Sequence, residues 1–282
     1  MVLNVGIKVA LVALPLVFWG CDDGGANQSQ DSAETRSQAL SSRFDFNIAD
    51  GAFVQSIHQQ SFIEGTLRDA PENADPARIF DAVLVSEGKR TPILDGVEDA
   101  KFLGDGSVIA ISNQHELIRW TPTSQTKVME NVFGPLSVAG QKVVFTVGES
   151  MPDFRVVALD LESGQQWDAP RNMSPAWSPV IDHDGKRVLF TTSYRSESTI
   201  VLGNLGNEFQ VESEFEVDLP PSGVNAPILK SDALITQTEM GLKRLHLPTK
   251  TWTDLSGDLP LQSTDGRIWV HDGGLREIKE GK

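Results

Sequence analysis

Five histidines, His58, His115, His183, His246 and His271, are the side chains of this chain best suited to proton or metal chemistry near neutral pH. None has a second histidine two, three or four residues away, so no local metal-binding pair exists. Asp182-His183-Asp184-Gly185 has the spacing of the start of a calcium loop. Lys186 and Arg187 then stand where further oxygen ligands are needed, so a tight turn is the better reading. The single cysteine, Cys21, can form neither an internal disulfide nor a zinc-thiolate cluster. The sequence has no G-x-S-x-G elbow, no phosphate loop and no dinucleotide fingerprint. No catalytic residue, metal ligand or cofactor is therefore assigned. With 39 Asp and Glu, one enzymatic chemistry stays open: carboxylates gathered from distant segments, about 5–10 Å apart, acting on a polysaccharide.

The elements that would position such groups follow from composition and pattern. Hydrophobic residues make up 39% of the 282 and charged residues 22%, a globular balance that excludes disorder over most of the length. The formal net charge is -15, and setting aside residues 1–20, whose one charged side chain is Lys8, makes it -16 (-15 less the +1 of Lys8). Such a surface repels phosphate backbones and anionic headgroups, which excludes nucleic acid as a partner and electrostatic attachment to a membrane.

The first residues, MVLNVGIKVALVALPLVFWGC, carry Lys8 and then an apolar run from Val9 to Trp19. That run is shorter than the about 20 residues needed to span a bilayer and has the length of a secretory apolar region. Gly20-Cys21 closes it, and DDGGANQSQDSAETRSQALSSR follows at once. The segment resembles a bacterial lipoprotein signal, which implies cleavage after Gly20 and lipid on Cys21; Phe18 and Trp19 depart from the usual Leu and small residue. Residues 22–42 contain no aromatic side chain and Leu40 as their only large aliphatic. They read as a tether reaching roughly 25 Å root-mean-square from the membrane. The expected division is thus a signal at 1–20, a lipidated cysteine and tether at 21–42, and a folded domain at 43–282.

Within that domain one pattern recurs. SVIAIS (107–112), KVVFTV (142–147), RVLFTT (187–192), ALITQT (233–238) and RIWVHD (267–272) are strand-length runs rich in β-branched residues, each preceded by a Gly- or Asp-containing turn. Upstream of each turn lies a short first strand: DAKFL (99–103), GPLSV (134–138), SPAWS (174–178), NAPIL (225–229) and LPLQS (259–263). Third strands follow, and then fourth strands such as TKVMENV (126–132), QQWDAP (165–170) and FEVDLP (215–220). Residues 51–95 supply one more unit, ending in RTPILD. Four antiparallel strands repeating near every 40 residues predict an all-β chain folded as a β-propeller of about six four-stranded blades, five or seven being the neighbouring counts. A large open β-sandwich is the rival architecture. The last unit lacks a fourth strand, and RFDFNIA (43–49) is expected to supply it, closing the ring and removing its exposed edges.

Pro175-Ala176-Trp177-Ser178-Pro179, Asp184-Gly185-Lys186-Arg187 and Val188-Leu189-Phe190-Thr191 resemble the repeat of TolB-like propellers. Val180-Ile181-Asp182-His183 reads as an insertion lengthening the turn of that repeat. The resemblance covers about residues 45–282 and implies a fold shared by envelope binding proteins, sensor domains and the substrate-gating domains of some peptidases.

The connections between second and third strands open on the same face as those between blades. On this chain they carry Met151, Phe154, Tyr194, Arg195 and Met240, residue types favoured at protein contacts. The expected function is a non-catalytic binding or scaffold module, lipid-anchored in the bacterial envelope and monomeric, holding an envelope protein or peptide on that loop face. A polysaccharide-cleaving enzyme and a small-ligand sensor are the alternatives.

Overall fold

The apolar runs that recur through the sequence become strands buried on both faces, and the rest of the architecture is arranged around them. The computed structural model describes residues 48–49, 51–68, 79–192, 199–216, 227–238, 241–271 and 275–278. Its first sheet has seven strands in chain order: β1 (Ala52–His58), β2 (Ser61–Leu67), β3 (Phe80–Ser86), β4 (Lys89–Phe102), β5 (Val108–Ser112), β6 (Leu117–Thr121) and β7 (Ser124–Met129). Three four-stranded sheets follow. They comprise β8 (Val132–Ala139), β9 (Lys142–Val147), β10 (Arg155–Asp160) and β11 (Gln166–Asp168); β12 (Ala176–Ile181), β13 (Arg187–Thr192), β14 (Thr199–Leu205) and β15 (Phe209–Glu216); and β16 (Ile228–Leu229), β17 (Ala233–Thr238), β18 (Gly241–His246) and β19 (Thr251–Asp254). A three-stranded sheet of β20 (Asp258–Gln262), β21 (Ile268–His271) and β22 (Leu275–Ile278) comes last. The named pairings are all antiparallel. The chain is all-β in a β-propeller arrangement.

Two units share the seven-stranded sheet because β4 does not break. Its first half pairs with β3 and its second half with β5, and Val97 pairs with both Phe80 and Ser112. The sequence reads Asp95-Gly96 as the end of one strand. Instead Gly96, at φ +66, turns the strand without ending it; its N–H donates to Asp81 Oδ1 at 3.0 Å and its carbonyl accepts from Asn113 N at 2.9 Å. A left-handed φ is accessible to glycine without steric cost, which is why the kink falls there.

The second strands carry no alternation because both faces are covered. All five residues of β5 are buried, as are Val143–Val147 of β9. A sheet buried on both sides selects continuous apolar runs. The outer strands β7 and β19 are mostly exposed and correspondingly polar. The core is divided into clusters lying between successive units. Ile109, Phe145 and Val157 sit between the second and third units, and Val156, Phe190 and Val201 between the third and fourth. Leu189, Leu234 and Leu245 follow, then Ile235, Leu242 and Val270. A further cluster joins the first unit to the last through Val54, Ile57, Phe62, Leu261 and Trp269, with Ile48 packed against it.

Strand boundaries also differ from expectation: the fourth strand expected at 126–132 is Ser124–Met129, with Val132 opening β8, and that expected at 165–170 is Gln166–Asp168. Val180 and Ile181 do not lengthen a turn; they are buried members of β12, and the extra residues are absorbed in a bulge between Trp177 and Val180, with Ser178 at φ +51. A bulge takes up added residues while leaving the flanking register intact. The fourth strand of that unit is β15 at Phe209–Glu216, mostly upstream of the expected 215–220. The signal, the tether and Cys21 lie outside the described residues, as do 43–47 of the expected closing strand. Ile48 and Ala49 are described, carry no strand, and are held by a hydrogen bond from Ala49 N to Glu64 Oε2 at 3.0 Å.

Candidate functional site

The hairpin between the first and second strands of each unit lies at one end of the arrangement, here the turn end. In Asp182–Arg187 the Gly185 N–H donates to Asp182 O at 2.9 Å, and Asp182 Oδ1 accepts from Lys186 N at 2.8 Å and Arg187 N at 3.0 Å. That carboxylate is occupied by backbone amides, which makes Asp182–Gly185 a turn rather than a cation loop. The related turns hold Asp105 and Asp265. Burial works against the charge of each, yet hydrogen bonds outweigh it and hold both carboxyls down at about 2: those of Ser107 and Gln141 with the Arg119 charge at Asp105, and those of Arg267 and Ser263 at Asp265. Long cations then tie neighbouring turns together. Lys142 Nζ donates to Gly185 O at 2.8 Å, Arg187 Nη2 to Lys230 O at 3.0 Å, and Lys230 Nζ to Gly266 O at 2.9 Å. His58 Nδ1 meets Thr264 Oγ1 at 2.7 Å, tying the first unit to the last. Side chains thus link neighbouring turns at this end.

Inside, the innermost strands converge on Asp99. This carboxylate, 5% exposed, accepts from Ala100 N at 2.8 Å, from Leu136 N of β8 at 2.7 Å and from Gln55 Nε2 of β1. Lys101 Nζ stands 3.7 Å from it and donates to Gln55 O at 3.1 Å. One buried acid thus holds three units together, with a lysine as counter-ion. An acid whose lone pairs are committed to structural donors is poorly placed for general-acid or nucleophilic work. Beside it lies an axial cavity of about 60 Å³, lined by Gln55, Lys101, Leu136, Ser137, Gln262 and Thr264 among others. Gln55 Oε1 and Gln262 Nε2 are buried there with no hydrogen-bond partner among the described residues.

The opposite, loop end is built differently. Glu98 is the extra residue of a bulge between Val97 and Asp99 where β4 pairs with β5, so its carboxylate is aimed away from the regular ladder. Its Oε1 lies 3.0 Å from Nδ1 of His115, with 15% of the Glu98 side chain exposed and 43% of the His115 side chain. Burial, with the adjacent Asp99 charge, pushes the Glu98 carboxyl up to about 7. His115 is the third residue of the four-residue β5–β6 loop and adopts the left-handed φ of +59. Its ring stacks on Phe133 at 4.3 Å, and Phe133 stacks on Phe154 at 4.8 Å. Phe154 closes the short 3-10 turn Met151–Asp153, and Met151 is 61% exposed. A groove of about 320 Å³ opens alongside, lined by Met129, Asn131, Glu149, Arg155 and Gln166 among others.

Of the residues expected to form a partner-binding face, Met151 and Phe154 are brought together on one turn at this end. Tyr194, Arg195 and Met240 lie outside the described residues. Sequence reasoning missed Glu98, His115 and Phe133. The pairing of β4 with β5 brings Glu98 to the β5–β6 loop, so the clue lay in the hairpin register rather than in any motif. Among the described residues no three His, Cys, Asp or Glu side chains gather in a way that could hold a metal ion.

No protein-family model matches the sequence, and none of the curated proteins matches it either. Solved structures do resemble the fold. The TolB protein of Acinetobacter baumannii aligns at 17% identity over 75% of this chain and 58% of its own, with a TM-score of 0.49. A gluconolactonase of Xanthomonas campestris aligns at 8% identity over 77% of this chain and 90% of its own, TM-score 0.48. The tricorn protease aligns at 11% identity over 80% of this chain, TM-score 0.51, and this chain spans 30% of its length. At these identities the likeness to known proteins is one of fold alone.

Proposed function

We propose that this protein is a lipid-anchored component of the bacterial envelope whose propeller is a non-catalytic binding module, taking an envelope protein or peptide on its loop end. In this reading residues 1–20 are removed, Cys21 carries the lipid, 21–42 form the tether, and 43–282 fold as six blades. Units one and two share the seven-stranded sheet, three four-stranded sheets follow, and the last unit takes its fourth strand from residues 43–49. Support for a closed ring comes from the apolar cluster that Val54 and Ile57 share with Leu261 and Trp269, and from Thr264 N donating to Ile57 O at 3.1 Å.

The observation that carries the binding role is Met151, 61% exposed beside the Phe154–Phe133–His115 ring stack. A flexible thioether next to layered aromatic rings suits an adaptable protein contact. The enzymatic alternative needs free carboxylates facing the axis. Asp99 is instead committed to three donors, and the described cavity-lining residues include no Asp or Glu. The experiment is a crosslinked capture from native envelopes with the parent protein and a Met151→Asp variant. A stoichiometric envelope protein recovered by the parent and lost from the folded variant supports the reading; equal recovery by both, or no specific protein from the parent, overturns it.

A further inference from the structure

We propose that the axial cavity is a binding site for a small uncharged ligand that presents both a hydrogen-bond acceptor and a donor, as a carboxamide does. The site is independent of the loop-end reading, because it lies on the inner strands toward the turn end.

Two buried atoms define it. Gln55 is 2% exposed, and its amide orientation is fixed because the Asp99 carboxylate can only accept, so Nε2 must face Asp99 and Oε1 must face elsewhere. Gln55 Oε1 is then a buried acceptor, and Gln262 Nε2 a buried donor, neither with a partner among the described residues, and both side chains line the same cavity. Buried polar groups in folded proteins are nearly always paired, and each such atom carries a desolvation cost that a matching partner would recover. The pair is complementary rather than alike: one atom requires an N–H or O–H, the other requires an oxygen.

Charge and size set the ligand class. Lys101, 14% exposed at its side chain, supplies a further donor to the cavity, and its ammonium is balanced by Asp99 at 3.7 Å. A cation would meet Lys101, and the Asp99 charge behind that lysine offsets its pull on an anion, so a neutral molecule suits the site. The volume of about 60 Å³ holds roughly four to six waters at ~10–15 Å³ each, or an organic molecule of a few non-hydrogen atoms. An amide carries both functions in one small molecule, an N–H₂ to donate to Gln55 Oε1 and a carbonyl to accept from Gln262 Nε2 or Lys101 Nζ. No covalent step is involved.

The test is a titration of the ¹⁵N-labelled full chain with acetamide, following the side-chain amide resonances of Gln55 and Gln262. The expected result is saturable displacement of both in the millimolar range, with acetate and methylammonium binding at least about tenfold more weakly. A Gln262→Leu variant is expected to lose about tenfold in acetamide affinity, ~1.4 kcal/mol, the scale of one hydrogen bond. The parent titration stands alone if that variant does not fold. The proposal is overturned by an absence of saturation up to roughly 100 mM, beyond the weakness expected of so small a ligand. It is overturned equally by acetate or methylammonium binding as well as acetamide, by unchanged affinity in folded Gln262→Leu, or by a crystal soak in which the cavity retains only water.

Discussion

Replacing Asp99 by Asn should unravel the junction of three units while leaving the volume of the side chain almost unchanged. The carboxylate accepts from Ala100 N, Leu136 N and Gln55 Nε2 and balances Lys101 at 3.7 Å. Asparagine keeps one acceptor oxygen and introduces an N–H₂ where a donor already points. At least one of the three donors then loses its partner in a site 5% exposed, a cost of about 1–3 kcal/mol. Lys101, 14% exposed, is also left without its counter-ion, and breaking a buried pair from one side costs roughly 3–5 kcal/mol. These terms overlap, because relaxation that serves one donor also serves the other, and about 4 kcal/mol is the expected total. For a domain of this size that lowers Tm by roughly 8–16 °C. Urea unfolding of parent, Asp99→Asn, Lys101→Met and the double variant measures both the loss and the coupling, expected at about 1–3 kcal/mol. A loss under about 1 kcal/mol for Asp99→Asn, or additivity of the two single changes, would refute the view of Asp99 as the tie between units.

Other outcomes follow from the same geometry. Burial and the Asp99 charge push the Glu98 carboxyl from the ordinary 4.5 up to about 7 in the folded chain, so the folded state binds the extra proton between those values. Its contribution to stability is fully present below about 4.5 and is lost as pH rises through about 7, a change of about 3 kcal/mol. Glu98→Gln should therefore match the parent near pH 4.5 and exceed it by about 2–3 kcal/mol at pH 8 in denaturant titrations; parallel stability–pH curves would sink the assignment. Gly203→Ala places a methyl 2.3 Å from Phe209 Cζ; ring displacement should cost about 1–3 kcal/mol by thermal unfolding, and an unchanged Tm would contradict the packing. Phe190→Ala, in a fully buried side chain between units three and four, should cost about 3–5 kcal/mol in the same assay, and a loss under about 1 kcal/mol would place Phe190 outside the core. Met151→Asp, on an exposed turn, should leave stability within about 0.5 kcal/mol while abolishing partner capture, so a large drop in Tm would show that Met151 packs rather than binds.

How much of this was legible depended on whether a feature was local. The second strands could be read because burial on both faces demands an unbroken apolar run, and Val143–Val147 or Val188–Thr192 admits no other strand reading. The glycine turns could be read because a hairpin needs left-handed backbone, as at Gly185 and Gly266. The continuity of β4 could not, since Asp95-Gly96 has the chemistry of a turn and becomes a kink only when Asp81 and Asn113 hold it from neighbouring strands. In sequence the bulge at Ser178 reads as an insertion in the turn for the same reason: its register is set by β13, not by its own residues. The loop position of Met151 and Phe154 could be read because they fall between two strand-length runs. The Glu98–His115 pair did not, because the burial that raises Glu98 is supplied by surrounding strands. Gln55 and Gln262 are ordinary strand glutamines until the inner strands bring them to one cavity.

The most direct measurement places a photo-crosslinking residue at Met151 in one protein and at Asp184 in another, both exposed but at opposite ends, and irradiates cells that carry each. One discrete adduct to an envelope protein from the Met151 position, with none from Asp184, is what a binding loop end requires. The same adduct from both positions, or an adduct from Asp184 alone, would contradict it.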